Sequence, residues 1–182
     1  MKNLKIKYLI SPILIIAIAA LLRLLPHPAN VAPIAAMALF GGVYLNKKYA
    51  LVFPLIALFL SDLILGFYPL PAMAFVYGSF LLTGAIGILL KKHKKPVIII
   101  TASLASSLLF YLITNFGVWL TGTIYPKTLT GLLDCYLMAI PFFRNTLFGD
   151  LLYTGVFFLS FETALRFRKN IQTAKTQNPE IK

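Results

Sequence analysis

At one end of the long apolar stretches of this chain fall six charged side chains: Arg23, Asp62, Lys127, Asp134, Arg144 and Asp150. Three are cationic and three acidic, so the set is electrically balanced. A charge in apolar surroundings is costly unless it is paired or serves a ligand. Two readings are open: ion pairs that only lock a bundle, or a polar pocket for a solute. Arg and Asp supply charge-assisted hydrogen bonds. Asn30, Asn115 and Asn145 supply neutral donors and acceptors, and His27 stands beside them for binding or gating. Tyr68, Trp119, Tyr125, Tyr136, Phe142 and Phe143 could stack on a flat ring or form an interfacial belt. The candidate solute-binding residues are Arg23, His27, Asn30, Asp62, Asn115, Trp119, Arg144, Asn145 and Asp150. Arg23 is expected to pair with Asp62 or Asp150, and Arg144 with the other acid.

Other chemistries fit less well. Asp62 and Asp150 could form an acid–base dyad if one carboxyl were held protonated. An intramembrane aspartyl protease would want Gly-x-Gly-Asp, and here Leu147-Phe148-Gly149-Asp150 lacks the first glycine; its partner motif would be Tyr-Asp, and here Ser61-Asp62 stands instead. There is no His-Glu-x-x-His, no nucleophile elbow and no nucleotide-binding loop. Cys135 is the only cysteine, which excludes an internal disulfide and offers no cysteine-based metal site. No catalytic residue, metal or cofactor is assigned. The alternatives are an intramembrane enzyme using Asp62 and Asp150, and a ligand-free membrane assembly protein.

The elements that must position these residues follow from the apolar runs. Of 182 residues, 59% are hydrophobic and 12% charged, about half the charged share of a soluble domain. Disorder and an ordinary soluble fold are thereby disfavoured. Cutting at Pro, Gly and charge clusters gives Tyr8–Leu25, Val31–Leu45, Tyr49–Gly66, Ala72–Leu90, Val97 to about Leu120, and Asn145–Leu165. The expectation is an all-α bundle of six transmembrane helices, with a short interfacial or re-entrant helix over 132–143 before the last span. The second run has 15 residues, about 22 Å of helix against a bilayer core of roughly 30 Å. Residues 1–169 form the transmembrane domain and 170–182 a polar cytoplasmic tail. On this segmentation every polar candidate lies in the outer half, Asp150 at most about 9 Å below the start of its span.

The cations orient the bundle. Of 17 Lys and Arg residues, 14 fall at the two termini and the 46–48 and 91–95 connections, and three on the other side. The positive-inside rule puts both termini in the cytoplasm. The net charge of +12 then records topology, and nucleic acid is not expected as a partner. Lys2, Lys5 and Lys7 precede a run that continues through Ala17-Ile18-Ala19 to Leu25 without a polar break, which reads as an uncleaved first span. Ala32/Ala36 and Ala38/Gly42 are small-residue pairs four apart. They suit either internal packing or a docking face for another membrane protein.

Taken together, Arg23-x-x-Pro26-His27-Pro28-x-Asn30-x-x-Pro33-Ile34-x-Ala36, Phe40-Gly41-Gly42 and Ser61-Asp62-Leu63 resemble a family of small bacterial membrane proteins of unknown function. Gly131-Leu132, Cys135-Tyr136, Ala139-Ile140-Pro141-Phe142-Phe143, Asn145-Thr146 and Gly149-Asp150 extend the resemblance over most of 20–160. That family in turn looks like the substrate-binding S components of energy-coupling factor transporters. The likeness implies six helices, cytoplasmic termini, an outward-facing pocket, and docking on a transmembrane coupling protein with two ATPases. It also implies a multi-pass protein of the bacterial cytoplasmic (inner) membrane, surrounded by lipid and handling an unnamed small solute. One departure is that the first span lacks the repeated Ala-x-x-x-Ala of S components.

Overall fold

The computed structural model describes residues 2–177, with side chains from 12 to 173. The described regular elements are all helical: α1 (Lys2–Arg23), α2 (Ile34–Tyr44), α3 (Lys47–Ala50), α4 (Val52–Leu65), α5 (Leu70–Leu89), α6 (Pro96–Thr121) and α7 (Leu129–Gln177), with a 3₁₀ turn at Leu90–Lys92. Among the described residues, three rods are long and apolar enough to cross a bilayer: Lys47–Leu65, Leu70–Lys92 and Pro96–Thr121. Their outer faces carry exposed Ile56, Phe59, Leu82, Leu104, Leu108 and others, a surface suited to lipid rather than water. Pro12–Arg23 and Ile34–Tyr44 are apolar but shorter.

The bundle is organised around α2. Every residue from Ile34 to Val43 is buried, as expected of a helix that is apolar all round. Its 11 residues reach only about 16 Å. Its ends are set by sequence. Pro33 caps the start, and the chain before it runs through Pro26, Pro28 and a left-handed Asn30 (φ 63°), which no helix accommodates. At the other end Leu45 turns extended, and Lys91 Nζ donates to the Leu45 carbonyl at 2.7 Å, a cation placed where the helix dipole favours it. Such a broken helix is tolerated at membrane depth only when neighbours cover it. Here α5 packs most extensively on it, with α7, α1, α4 and α6 completing the shell.

The α2–α5 contact is backbone against backbone. A methyl on Gly42 would lie 2.3 Å from the Gly84 carbonyl oxygen, and one on Gly87 would lie 2.4 Å from the Leu39 carbonyl oxygen. The small residues offered as a docking face are therefore spent inside the molecule: Ala36, Ala38 and Gly42 are buried and Ala32 is half-buried in the cavity wall described below. The other seam of α2 is aromatic. Phe40 meets Phe158 and Phe161 edge to face, with ring centres 5.4 and 5.3 Å apart. Glu162 reaches across the bundle to accept the Tyr44 hydroxyl. Lys94 stands 4.2 Å over the Tyr44 ring. Burial lowers the Lys94 ammonium from its usual range, the Glu162 carboxylate pulls it back up, and Lys91 adds to the lowering.

A second departure from expectation concerns the end of the chain. No separate short helix covers 132–143, since α7 runs unbroken through Pro141, Arg144 and Asn145 for 49 residues. Arg144 is exposed, so its charge gives the helix no reason to stop. The backbone bond lost at Pro141 is tolerated where a neighbouring helix packs alongside, and α6 does so: Tyr111 donates to the Tyr136 carbonyl at 2.6 Å and Tyr136 to the Leu112 carbonyl at 2.8 Å. The helix also continues through 170–177, the first part of the expected tail. The side chains of Lys2, Lys5, Lys7 and Lys175, and all of 178–182, lie outside the described residues.

The glycine seam yields a direct test. Gly42→Val should cost at least about 1–3 kcal/mol by overpacking. Gly78→Ala, with nothing within 4 Å of the new methyl, should cost nothing. Thermal unfolding in detergent separates them, and equal melting temperatures would contradict the close α2–α5 approach.

Candidate binding pocket

Arg23 closes α1 and turns into α4. Its Nη2 lies 2.6 Å from Asp62 Oδ1. Its Nη1 donates to the Ser61 hydroxyl and, at 3.4 Å, to the Leu58 carbonyl. Asp62 Oδ2 accepts the Tyr77 hydroxyl at 2.6 Å, so α1, α4 and α5 meet at one carboxylate. Asp62 is fully buried and Arg23 mostly so. Gly66 ends α4 with φ 98° and its N–H on the Asp62 carbonyl, a left-handed stop that favours glycine. It sends the chain into Phe67-Tyr68-Pro69. The Tyr68 phenol is pushed up to about 12, first by burial and then by the Asp62 charge, with Arg23 opposing. Tyr68 therefore remains a neutral hydroxyl beside the pair.

The connection from Leu24 to Pro33 is fastened to α7. Val31 N–H closes a turn on the Pro28 carbonyl at 3.0 Å, with Asn30 in the left-handed conformation that asparagine accepts more readily than most residues. Asn145 Nδ2 donates to the Ala29 carbonyl at 2.9 Å. Gly149 lies under the same loop, where a methyl would meet Val31 Cα at 3.0 Å. Asn145 is thus a fastener for the loop.

Asp150 sits elsewhere than expected. Because α7 begins at Leu129, Asp150 is about 30 Å along it. Its Oδ2 accepts the Ser107 hydroxyl at 2.6 Å, and Ser107 lies near the middle of α6. One turn further on, the Ser103 and Thr154 hydroxyls share a hydrogen bond of 3.2 Å. Asp150 therefore lies level with the middle of α6 and not near a helix start. It is 3% exposed, and among the described residues no cation touches it. The expected pairing of Arg144 with an acid does not form: Arg144 is exposed and meets no carboxylate among the described residues.

Between these elements lies a cavity of about 250 Å³ whose walls include Arg23, His27, Asn30, Phe80, Phe110 and Asp150. A second cavity of about 260 Å³ shares Asn30, Phe110 and Thr146 with it and extends to Asn115, Phe142 and Phe143. The two chambers join Arg23, His27, Asn30, Asn115 and Asp150 from the expected set. They leave out Asp62, which acts through Arg23. They also leave out Trp119, whose Nε1 donates to the Pro126 carbonyl at 2.9 Å and whose ring lies under Lys127. Lys127 itself caps the end of α6 through the Trp119 and Gly122 carbonyls, and Asp134 is exposed. Residues not singled out from sequence are Phe80, Phe110, Tyr77 and Thr146. Ser107 bonds its own helix at the Ser103 carbonyl and also holds Asp150. Among the described residues no three His, Cys, Asp or Glu side chains are grouped to hold a metal.

The chain belongs to a family of unknown function (DUF6580), whose model matches residues 3–174. No curated protein and no solved structure matches the chain.

The loop fastening generates its own test. Asn145→Ala should lower stability by about 1 kcal/mol through the lost hydrogen bond, and Gly149→Val by about 1–3 kcal/mol through overpacking. Chemical unfolding of the detergent-solubilised protein reads both, and wild-type stability in both variants would contradict the docking of the 24–33 loop on α7.

Proposed function

We propose that this chain is a membrane-embedded solute-binding transport component, similar to the S components of energy-coupling factor transporters and energised by partner proteins. The observation that carries this is the paired cavity. It is built from six helices and one loop, lined by charged and aromatic side chains, and contains a buried carboxylate that has no counter-charge among the described residues. A protein needing only a locked bundle would gain nothing from such a group. Pocket-lining polar groups amid apolar walls are the usual composition of small-molecule sites.

In this proposal the bundle crosses a bacterial cytoplasmic membrane six times, with both termini in the cytoplasm. The 14 cations at one set of connections support that orientation. Contacts at helix ends support the same alternation. Arg23, at the end of α1, meets the last turns of α4; Lys91, after α5, meets the end of α2. The short α2 completes its crossing through the 24–33 connection, which is fastened to the neighbouring α7. The cavity mouth, with exposed His27 and Asn30, then opens to the outside. The coupling protein and ATPases would dock from elsewhere on the surface, since the small pairs of α2 are internal.

Mass spectrometry of the gently solubilised protein tests the assignment. A small solute should accompany the wild-type chain and fall at least about tenfold in occupancy in Asp150→Asn or Phe110→Ala, with membrane insertion unchanged. Equal solute recovery from all three proteins would contradict the pocket.

A further inference from the structure

The charges around the cavity do not cancel, and the imbalance has chemical consequences. The ionisable groups in the wall of the main chamber are Arg23, His27 and Asp150. Arg23 is committed: one guanidinium nitrogen faces Asp62 and another is held by Ser61 and the Leu58 carbonyl. Asp62 is committed too, with one oxygen on Arg23 and the other on Tyr77. Asp150 has unfilled capacity and no ion-pair partner among the described residues. Its Oδ2 takes the Ser107 hydroxyl, and no donor among the described residues reaches its other oxygen. A carboxylate has about four acceptor positions, and this one is 97% buried in an interior that screens charge poorly.

Resting on the solute-pocket assignment above, we infer that the cavity takes a small organic cation, an amine- or amidine-like group on a compact apolar or flat body, with its charge on Asp150. The remaining walls agree. Phe80 and Phe110 lie stacked with ring centres 5.1 Å apart, and the faces of aromatic rings attract cations. Leu65, Val76 and Ile34 line the same chamber and suit an apolar body. A divalent metal ion would want several hard ligands converging, and Asp150 is the sole carboxylate in the wall. An anion would face Asp150 with Arg23 already neutralised. The main chamber is somewhat below the roughly 300–1,000 Å³ of sites for drug-sized ligands, which keeps the solute small. The second chamber leaves room for a tail beside Phe142 and Phe143.

The sign of the pocket can be measured without knowing the solute. Thr146 lines both chambers, so Thr146→Cys in a Cys135→Ala background places one thiol there in the full chain reconstituted in lipid. Ala35→Cys, in the main chamber wall, serves as a second position. The probes are the 2-(trimethylammonium)ethyl and 2-sulfonatoethyl methanethiosulfonates, with rates normalised to a free small thiol. The cationic reagent should be favoured at least about tenfold, equivalent to about 1.4 kcal/mol. Asp150→Asn should collapse that preference and Asp150→Glu should retain it; Asp150→Ser replaces Asp150→Asn if the latter does not fold. A preference for the anionic reagent, or a ratio indifferent to residue 150, overturns the cation assignment and leaves the pocket standing. Failure of both reagents to reach either cysteine in folded protein removes the pocket itself, and the inference with it.

Discussion

A charge inside a bundle that faces lipid has nowhere to be solvated, so each one must find a partner in the protein or be supplied with one. The Arg23–Asp62 pair is where that constraint is met most fully. Three helices converge on it, and each hydrogen-bonding group in the cluster has a defined role: Arg23 holds α1 to α4, Tyr77 brings in α5, and the Ser61 hydroxyl accepts from the guanidinium while bonding its own helix at the Leu58 carbonyl. Because Arg23 is taken, it cannot serve Asp150. The position of one ion pair thereby decides which carboxylate is left to face the cavity.

The second organising constraint is steric. A short helix buried on every side can sit at the centre only if its neighbours come close. The glycines at 42 and 87 allow α5 to approach α2 at backbone distance. Gly149 does the same for α7 and the 24–33 loop. The cavity lies between these contacts, lined by α1, α2, α4, α5, α6, α7 and the 24–33 loop. The aromatic seam of Phe40, Phe158 and Phe161 closes the opposite side of α2. The site is thus a consequence of packing around α2, and its chemistry comes from the few polar side chains that this packing turns inward.

Much of this was legible in the sequence because charges are rare here. Arg23 and Asp62 stood out against apolar runs, and their pairing was one of two options. Asp150 could not be placed at its true depth. The short apolar run over 132–143 and the charge of Arg144 suggested a helix boundary before Asn145, yet an exposed arginine needs no helix end. The small residues of α2 were visible, but whether a small-residue stripe faces a partner or its own bundle depends on tertiary contacts. Trp119 was drawn to the candidate set by its type, and its indole N–H instead ties down the connection after α6. Phe80 and Phe110 carried no local signal: in a chain with 15 phenylalanines, only the fold shows which rings meet.

The central claim is that Arg23 and Asp62 neutralise each other inside the bundle and so leave Asp150 as the unpaired charge. A double-mutant cycle on Arg23 and Asp62 measures this most directly, using reversible unfolding in mixed micelles. Arg23→Met and Asp62→Leu should each lose about 3–5 kcal/mol, the cost of stranding a buried charge. The double variant should lose far less than their sum, with a coupling of more than about 1.5 kcal/mol. Additive losses would contradict the pairing, and with it the account of why Asp150 faces the cavity alone.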